Sequence, residues 1–160
     1  MTVRPSTVWR RLRWLFALAA LCTLATCPSA IRRCTVAQTA GEAPALLGYQ
    51  VAQVRAYVTE HGQLPALVVG PTPPVGTCCA SGVTCAPDAT RWSDPAWRAL
   101  GFSIDGRHRF SYQLARDGAA LVLRAIGDQD CDGVVATYQV TLTLDGGTLH
   151  EAWTRDQPLE

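Results

Sequence analysis

Apolar residues recur with two different periods along this chain, and an unpatterned stretch separates the two regimes. From Glu42 to His61 the apolar positions Ala43, Leu47, Val51, Val54 and Val58 are spaced three and four apart, giving one stripe on a helix. Glu42 and Pro44 suit a first turn, where proline loses no hydrogen bond. His61 followed by Gly62 suits the other end, since glycine accepts the left-handed cap and Pro65 prevents resumption. The spacing therefore predicts a helix over 42–61, about 30 Å long.

From His108 the period becomes two. In "HRFSYQLA" Phe110, Tyr112 and Leu114 alternate with Arg109, Ser111 and Gln113, and "AALVLRAI" sets Leu121, Leu123 and Ala125 on one face. "VATYQVTLTL" is the clearest strand, with Ala136, Tyr138, Val140, Leu142 and Leu144 against Thr137, Gln139, Thr141 and Thr143. "TLHEAWT" is a weaker fourth, carrying Leu149 and Trp153. "RDG" at 116–118 and "DGG" at 145–147 read as tight hairpin turns. Four successive strands predict an antiparallel meander over 108–154 with one apolar face, and the amphipathic helix is its cover. The expected class is α+β, with one N-terminal helix across a four-stranded sheet.

Between helix and strands lies "QLPALVVGPTPPVGTCCASGVTCAPDATR", residues 63–91, with no periodic segment beyond "ALVV". A loop of that length inside a domain needs holding, and its three cysteines supply a means. The "WSDPAWRALGF" that follows predicts a short helix capped by Asp94 with Pro95 at its first position. Trp92, Trp97, Leu100 and Phe102 would pin it to the core. An aromatic platform for carbohydrate is the alternative use of the two tryptophans, but their spacing around a capped turn favours packing.

Charge changes the picture of the N-terminus. The first 33 residues carry Arg4, Arg10, Arg11, Arg13, Arg32 and Arg33 and no acid, while eight arginines face all thirteen acids in the remainder, a net of −5. An acidic body argues against nucleic acid as a partner. The absence of lysine is read as genome composition bias. Residues 14–31, "WLFALAALCTLATCPSAI", form an uncharged, mostly apolar run of 18 behind a basic start. That is an export signal or a short inner-membrane anchor. "LATC" ending at Cys27 outlines a lipoprotein site with a poorly fitting threonine, and Arg32 and Arg33 disfavour translocation after a cut, so a retained anchor is expected. The chain then divides into a basic, apolar segment over 1–33 and a body over 34–160.

Either route places the body in an oxidising compartment, where cysteines are read first as disulfides. Cys22 and Cys27 fall in the apolar run and Cys34 just beyond it; Cys78, Cys79, Cys85 and Cys131 lie in the body. Adjacent cysteines very rarely bridge each other, so Cys78 and Cys79 each seek Cys85 or Cys131, and both assignments remain open. Zinc is the competing reading, weakened by the lack of a histidine near these cysteines in the sequence.

Asp128, Asp130 and Asp132 with Gly133 match the first half of a calcium loop, where side chains one, three and five point inward. Position twelve is Gln139 instead of the bidentate glutamate, so this is not an EF-hand. A smaller calcium site completed by carbonyls or water is one use of the three carboxylates; a solvated Asp/Gly turn is the other. Cys131 at position four would point away from such a metal, so a disulfide there is compatible with it. No nucleophile-and-base pattern is present: His61, His108 and His150 occur singly, Ser81 lies in no G-x-S-x-G elbow, and His61 is explained as a helix C-terminal residue. No catalytic residue is predicted.

The order of these elements, with "AYVTEHGQLPA", "GPTPP", the paired cysteines, "DPAWRALGF", "FSYQL" and "GDQDCDGVVATYQV", resembles the globular region of type IV pilin-like proteins of δ-proteobacteria, over about 42–156. The resemblance implies a pilin-like fold and a non-catalytic structural subunit of the cell envelope. It would be held in the inner membrane by residues 14–31 and partnered by other pilin-like subunits or envelope proteins. The chain departs from that pattern at one point. Prepilins carry a glycine–phenylalanine peptidase site and a glutamate within the apolar run, and residues 14–31 hold neither glycine nor acid. A minor or assembly-incompetent member, or a secreted or lipid-anchored calcium- or ligand-binding module, is thus expected in preference to a major pilin.

Overall fold

Chain contacts divide the protein into Met1–Thr35 and Val36–Glu160. The computed structural model describes residues 41–157, all within the second unit. The anchor expectation for 14–31 and residues Cys22, Cys27 and Cys34 lie outside the described residues. Among those described, no helix is long and apolar enough to cross a membrane.

Helix α1 spans Glu42–His61, as the apolar spacing requires. Its end is set by Gly62 at φ 70, whose N–H donates to the Val58 carbonyl at 2.8 Å. Ala43, Leu47, Val51, Val54 and Val58 are all buried, and the stripe packs on the sheet at β3 and β4.

The sheet overturns the expected class. It has five antiparallel strands in sequence order: β1 Val69–Thr72, β2 Ser111–Asp117, β3 Ala120–Gly127, β4 Ala136–Asp145 and β5 Thr148–Asp156. Strands dominate. Among the described residues the other helical pieces are α2 (Thr77–Ala80), a 3-10 turn (Ala89–Trp92) and α3 (Pro95–Ala99). The α+β, pilin-like arrangement of one helix across a four-stranded meander is therefore corrected to a five-stranded, mainly β fold with one long helix among the described residues.

The additional strand comes from the segment read as loop. β1 is four residues long, slips register between Val69 and Thr72, and contains Pro71, which has no N–H to donate. A strand of that kind has no period-two signature, and proline confines it to an edge. β1 pairs with β2, which completes one border of the sheet.

The remaining strands follow the alternation. Asp117 pairs with Ala120 and Asp145 with Thr148, so each hairpin turns in two residues. In the second, Gly146 and Gly147 lie at φ 54 and 81, the left-handed pair that such a turn demands. Gly127, at the end of β3, has a different reason to be glycine. A Cβ there would meet Phe110 Cδ1 at 2.7 Å and the Arg109 carbonyl at 3.1 Å.

The core joins the α1 stripe to Leu121, Leu123, Ala125, Tyr138, Val140 and Leu142. Asp94 caps α3 by accepting from the Ala96 N–H at 2.8 Å, with Pro95 at its first turn. Trp92, Trp97, Leu100 and Phe102 are buried as expected. Trp92 meets Trp97 and Phe102 edge-on at centroid distances of 5.6 and 5.3 Å, arrangements that suit the ring quadrupoles. Trp97 Nε1–H donates to Thr72 Oγ1 at 3.0 Å, which ties α3 to β1.

Candidate functional site

The site assembles from three places in the sequence: α2, the strand-like turn at Cys85, and the loop 128–135 between β3 and β4. One helical turn at Thr77–Ala80 sends the neighbouring side chains of Cys78 and Cys79 in different directions. Cys78 pairs with Cys85 at a Cα separation of 4.4 Å, and Cys79 pairs with Cys131 at 5.5 Å. Both lie in the range a disulfide spans. The connectivity left open by the sequence is thus 78–85 and 79–131.

The two bridges differ in setting. Cys78 and Cys85 are buried, and Cys85 exchanges backbone hydrogen bonds with His108 at 2.8 and 3.3 Å. His108 is 23 or more positions from any of these cysteines in the chain, so sequence proximity could not place it there. It is buried, donates its Nδ1–H to the Gly106 carbonyl (3.2 Å), and stands edge-on to Trp92. With the Cys78 and Cys85 sulfurs joined, this group has no thiolates to offer a metal. Cys79 is half-buried and Cys131 exposed.

Loop 128–135 is organised by its own aspartates. Asp128 accepts from the backbone N–H of Asp132 at 3.2 Å and of Gly133 at 2.9 Å, while Asp132 accepts from Val134 N–H at 2.9 Å. These bonds fold the chain back on itself as Asx turns do. They hold Cys131 at φ 62, a left-handed conformation that L side chains rarely adopt. Arg109 Nη1–H donates to the Gln129 carbonyl at 3.2 Å, joining the loop to the segment before β2. The carboxylates of Asp128, Asp130 and Asp132 come within 4.8 Å of one another, the set the sequence singled out. Oxygens of this kind suit a hard cation, but Asp128 and Asp132 already serve as backbone acceptors, which explains their presence without a metal.

Two polar features were not anticipated. Glu42, at the start of α1, reaches across to the approach of β2. Its carboxylate accepts from Arg109 N–H at 3.0 and 3.1 Å, from Phe110 N–H at 3.3 Å and from the Tyr112 hydroxyl at 3.3 Å. Burial, then the Glu42 charge, push the Tyr112 phenol well above its ordinary 10.0. Gln50, on the core side of α1, is fully buried, and neither atom of its amide has a hydrogen-bond partner. Glu42 acts through partners 67 or more residues away, and for Gln50 only its helical phase, three after Leu47 and four before Val54, offered a signal.

A groove of about 510 Å³ runs between α1 and β5, lined by Gly48, Ala52 and Ala56 on the helix and Trp153 on the strand. Arg55 and Glu151 form an ion pair across it. Trp153 is 40% exposed, because α1 lies over β3 and β4 and leaves β5 uncovered. Comparison with models of known protein families, with curated proteins and with solved structures finds no match for this chain.

Proposed function

We propose that the chain is a non-catalytic, pilin-like structural subunit of the cell envelope, held in the inner membrane by residues 14–31 with its body on the periplasmic side. The pairing of all four described cysteines carries this reading. Bridges at 78–85 and 79–131 use every cysteine of the described body, as expected of a protein that matures outside the reducing cytoplasm. The basic, apolar N-terminus supports the same location, and the ordered sequence segments that resemble pilin-like proteins support the role. Its partners on this reading are other pilin-like or envelope proteins. The missing glycine and acid in 14–31 favour a minor or assembly-incompetent member.

Intact-mass measurement and N-terminal sequencing of protein from membrane, periplasmic and shed-filament fractions test it. The expected result is a membrane species that retains residues 14–31. A lipidated Cys27, or a soluble species starting near residue 31, would sink the anchored-subunit reading.

A second reading, a secreted or lipid-anchored calcium-binding module, is favoured by the meeting of the Asp128, Asp130 and Asp132 carboxylates within 4.8 Å. Calcium titration of the chelated protein, followed by melting temperature, separates the two. A saturable rise favours the module, and no change across saturating calcium removes it.

A further inference from the structure

The two borders of the sheet are built differently. β1 is short, slips register and carries Pro71, a combination that blocks strand addition. β5 runs nine residues without proline, is exposed along nearly its whole length, and among the described residues pairs only with β4. Its hydrogen-bonding phase follows from the turn. Asp145 and Thr148 close a two-residue hairpin, so Thr148, His150, Ala152, Thr154 and Asp156 direct their backbone groups to β4. Leu149, Glu151, Trp153 and Arg155 direct theirs outward.

We propose that β5 pairs antiparallel with β5 of a second copy of this chain, about a two-fold axis at Trp153. Charge selects that register. With Trp153 opposite itself, Glu151 faces Arg155 of the second copy, and Arg155 faces its Glu151, on the side of the sheet that carries α1. On the other side His150 faces Asp156 twice. Centring on Glu151 would oppose two like charges, and centring on Ala152 would set Leu149 against Arg155, which gives no charge pair. The outward N–H and C=O groups of Glu151, Trp153 and Arg155 then form on the order of six ladder hydrogen bonds. The two indoles meet at the axis, beside the groove that leaves each exposed. A two-fold contact of this kind is self-complementary and closes at two subunits. It requires no particular cellular location, so it stands or falls apart from the proposed role.

Sedimentation equilibrium of the full chain in detergent micelles tests the pairing. Wild type is expected to show a reversible monomer–dimer equilibrium. Glu151→Arg alone and Arg155→Glu alone each set like charges opposite one another at two symmetry-related places and should weaken association about tenfold or more. The double variant restores the pairs and should return it to the wild-type level. Arg55→Ala removes the ion pair within the chain and should leave association intact. Retention of the cooperative thermal transition in every variant excludes unfolding as the cause. A monomeric wild type overturns the proposal, as does a double variant that stays dissociated. Association insensitive to both single reversals overturns it too, and assigns any dimer to the apolar segment 14–31.

Discussion

Removing the bridge between Cys79 and Cys131 should be the most damaging change available outside the core. The two residues are separated by 52 positions, so the bond closes a long loop that contains α3, β2 and β3. In the chain-entropy relation a closure of that length restricts the unfolded ensemble by about 4 kcal/mol at 25 °C. The folded state loses little packing, because Cys131 is exposed and Cys79 half-buried. For a body of roughly 120 residues that loss lowers the melting temperature by about 15 °C. The perturbation is the Cys79→Ala/Cys131→Ala double variant, and the assay is reversible denaturant unfolding beside the oxidised wild type. Mild reductant offers the same change without mutation, since it reaches exposed Cys131 long before Cys85, which is 1% exposed. A loss below about 1 kcal/mol would refute the reasoning, because it would mean that the unfolded chain is not freed by opening this loop.

Four other outcomes are expected. Gln50→Met keeps volume and removes a buried amide whose two atoms lack partners, so denaturant unfolding should show a gain of about 1–3 kcal/mol; a loss would mean that the amide is satisfied in solution. Glu42→Ala strands the Arg109 and Phe110 N–H groups and should cost about 2–3 kcal/mol by the same assay, whereas a change within 0.5 kcal/mol, about the spread of neutral surface substitutions, would discount the clamp. Tyr112 is raised in the folded state, so its contribution is full below about pH 10 and fades as pH climbs above that value, where the unfolded chain ionises first. Unfolding measured through that range should fall for wild type and stay flatter for Tyr112→Phe; equal slopes would contradict the assignment. Asp128→Ala should destabilise by about 1–2 kcal/mol in calcium-free buffer, through the lost Asp132 and Gly133 N–H bonds, and an effect seen only with calcium present would return the loop to a metal role.

Legibility in the sequence followed the range of the forces involved. α1 ends where Gly62 and Pro65 require, and β2 to β5 appear where the alternation and the glycine turns place them, because period and turn chemistry act over a few residues. The Asp94 cap was readable for the same reason. β1 was not, since four residues around Pro71 carry no period and exist as a strand only because β2 offers an edge. Its presence is what turned the expected four-stranded α+β arrangement into a five-stranded sheet. Trp153 was assigned to an apolar face and is that face's uncovered end, because the helix is too narrow to reach β5. The four body cysteines could be named but not matched, as the direction of each side chain depends on the single turn of α2. In the aspartate loop, sequence counted carboxylates correctly but could not show that backbone N–H groups consume two of them.

The Cys79–Cys131 bond also decides how the body answers a pull applied at its two ends. Tension bypasses everything between residues 79 and 131, since a covalent link carries it directly from α2 to the β3–β4 loop. Of the contour stored in the body, on the order of 180 Å stays locked while the bond is intact. Among the described elements α1, β1, β4 and β5 can be drawn out, and β5, with one described neighbour, peels first. Reducing this bond alone would release all of that length except the loop closed by Cys78–Cys85, so the redox state of a single solvent-facing disulfide sets the length to which this protein stretches.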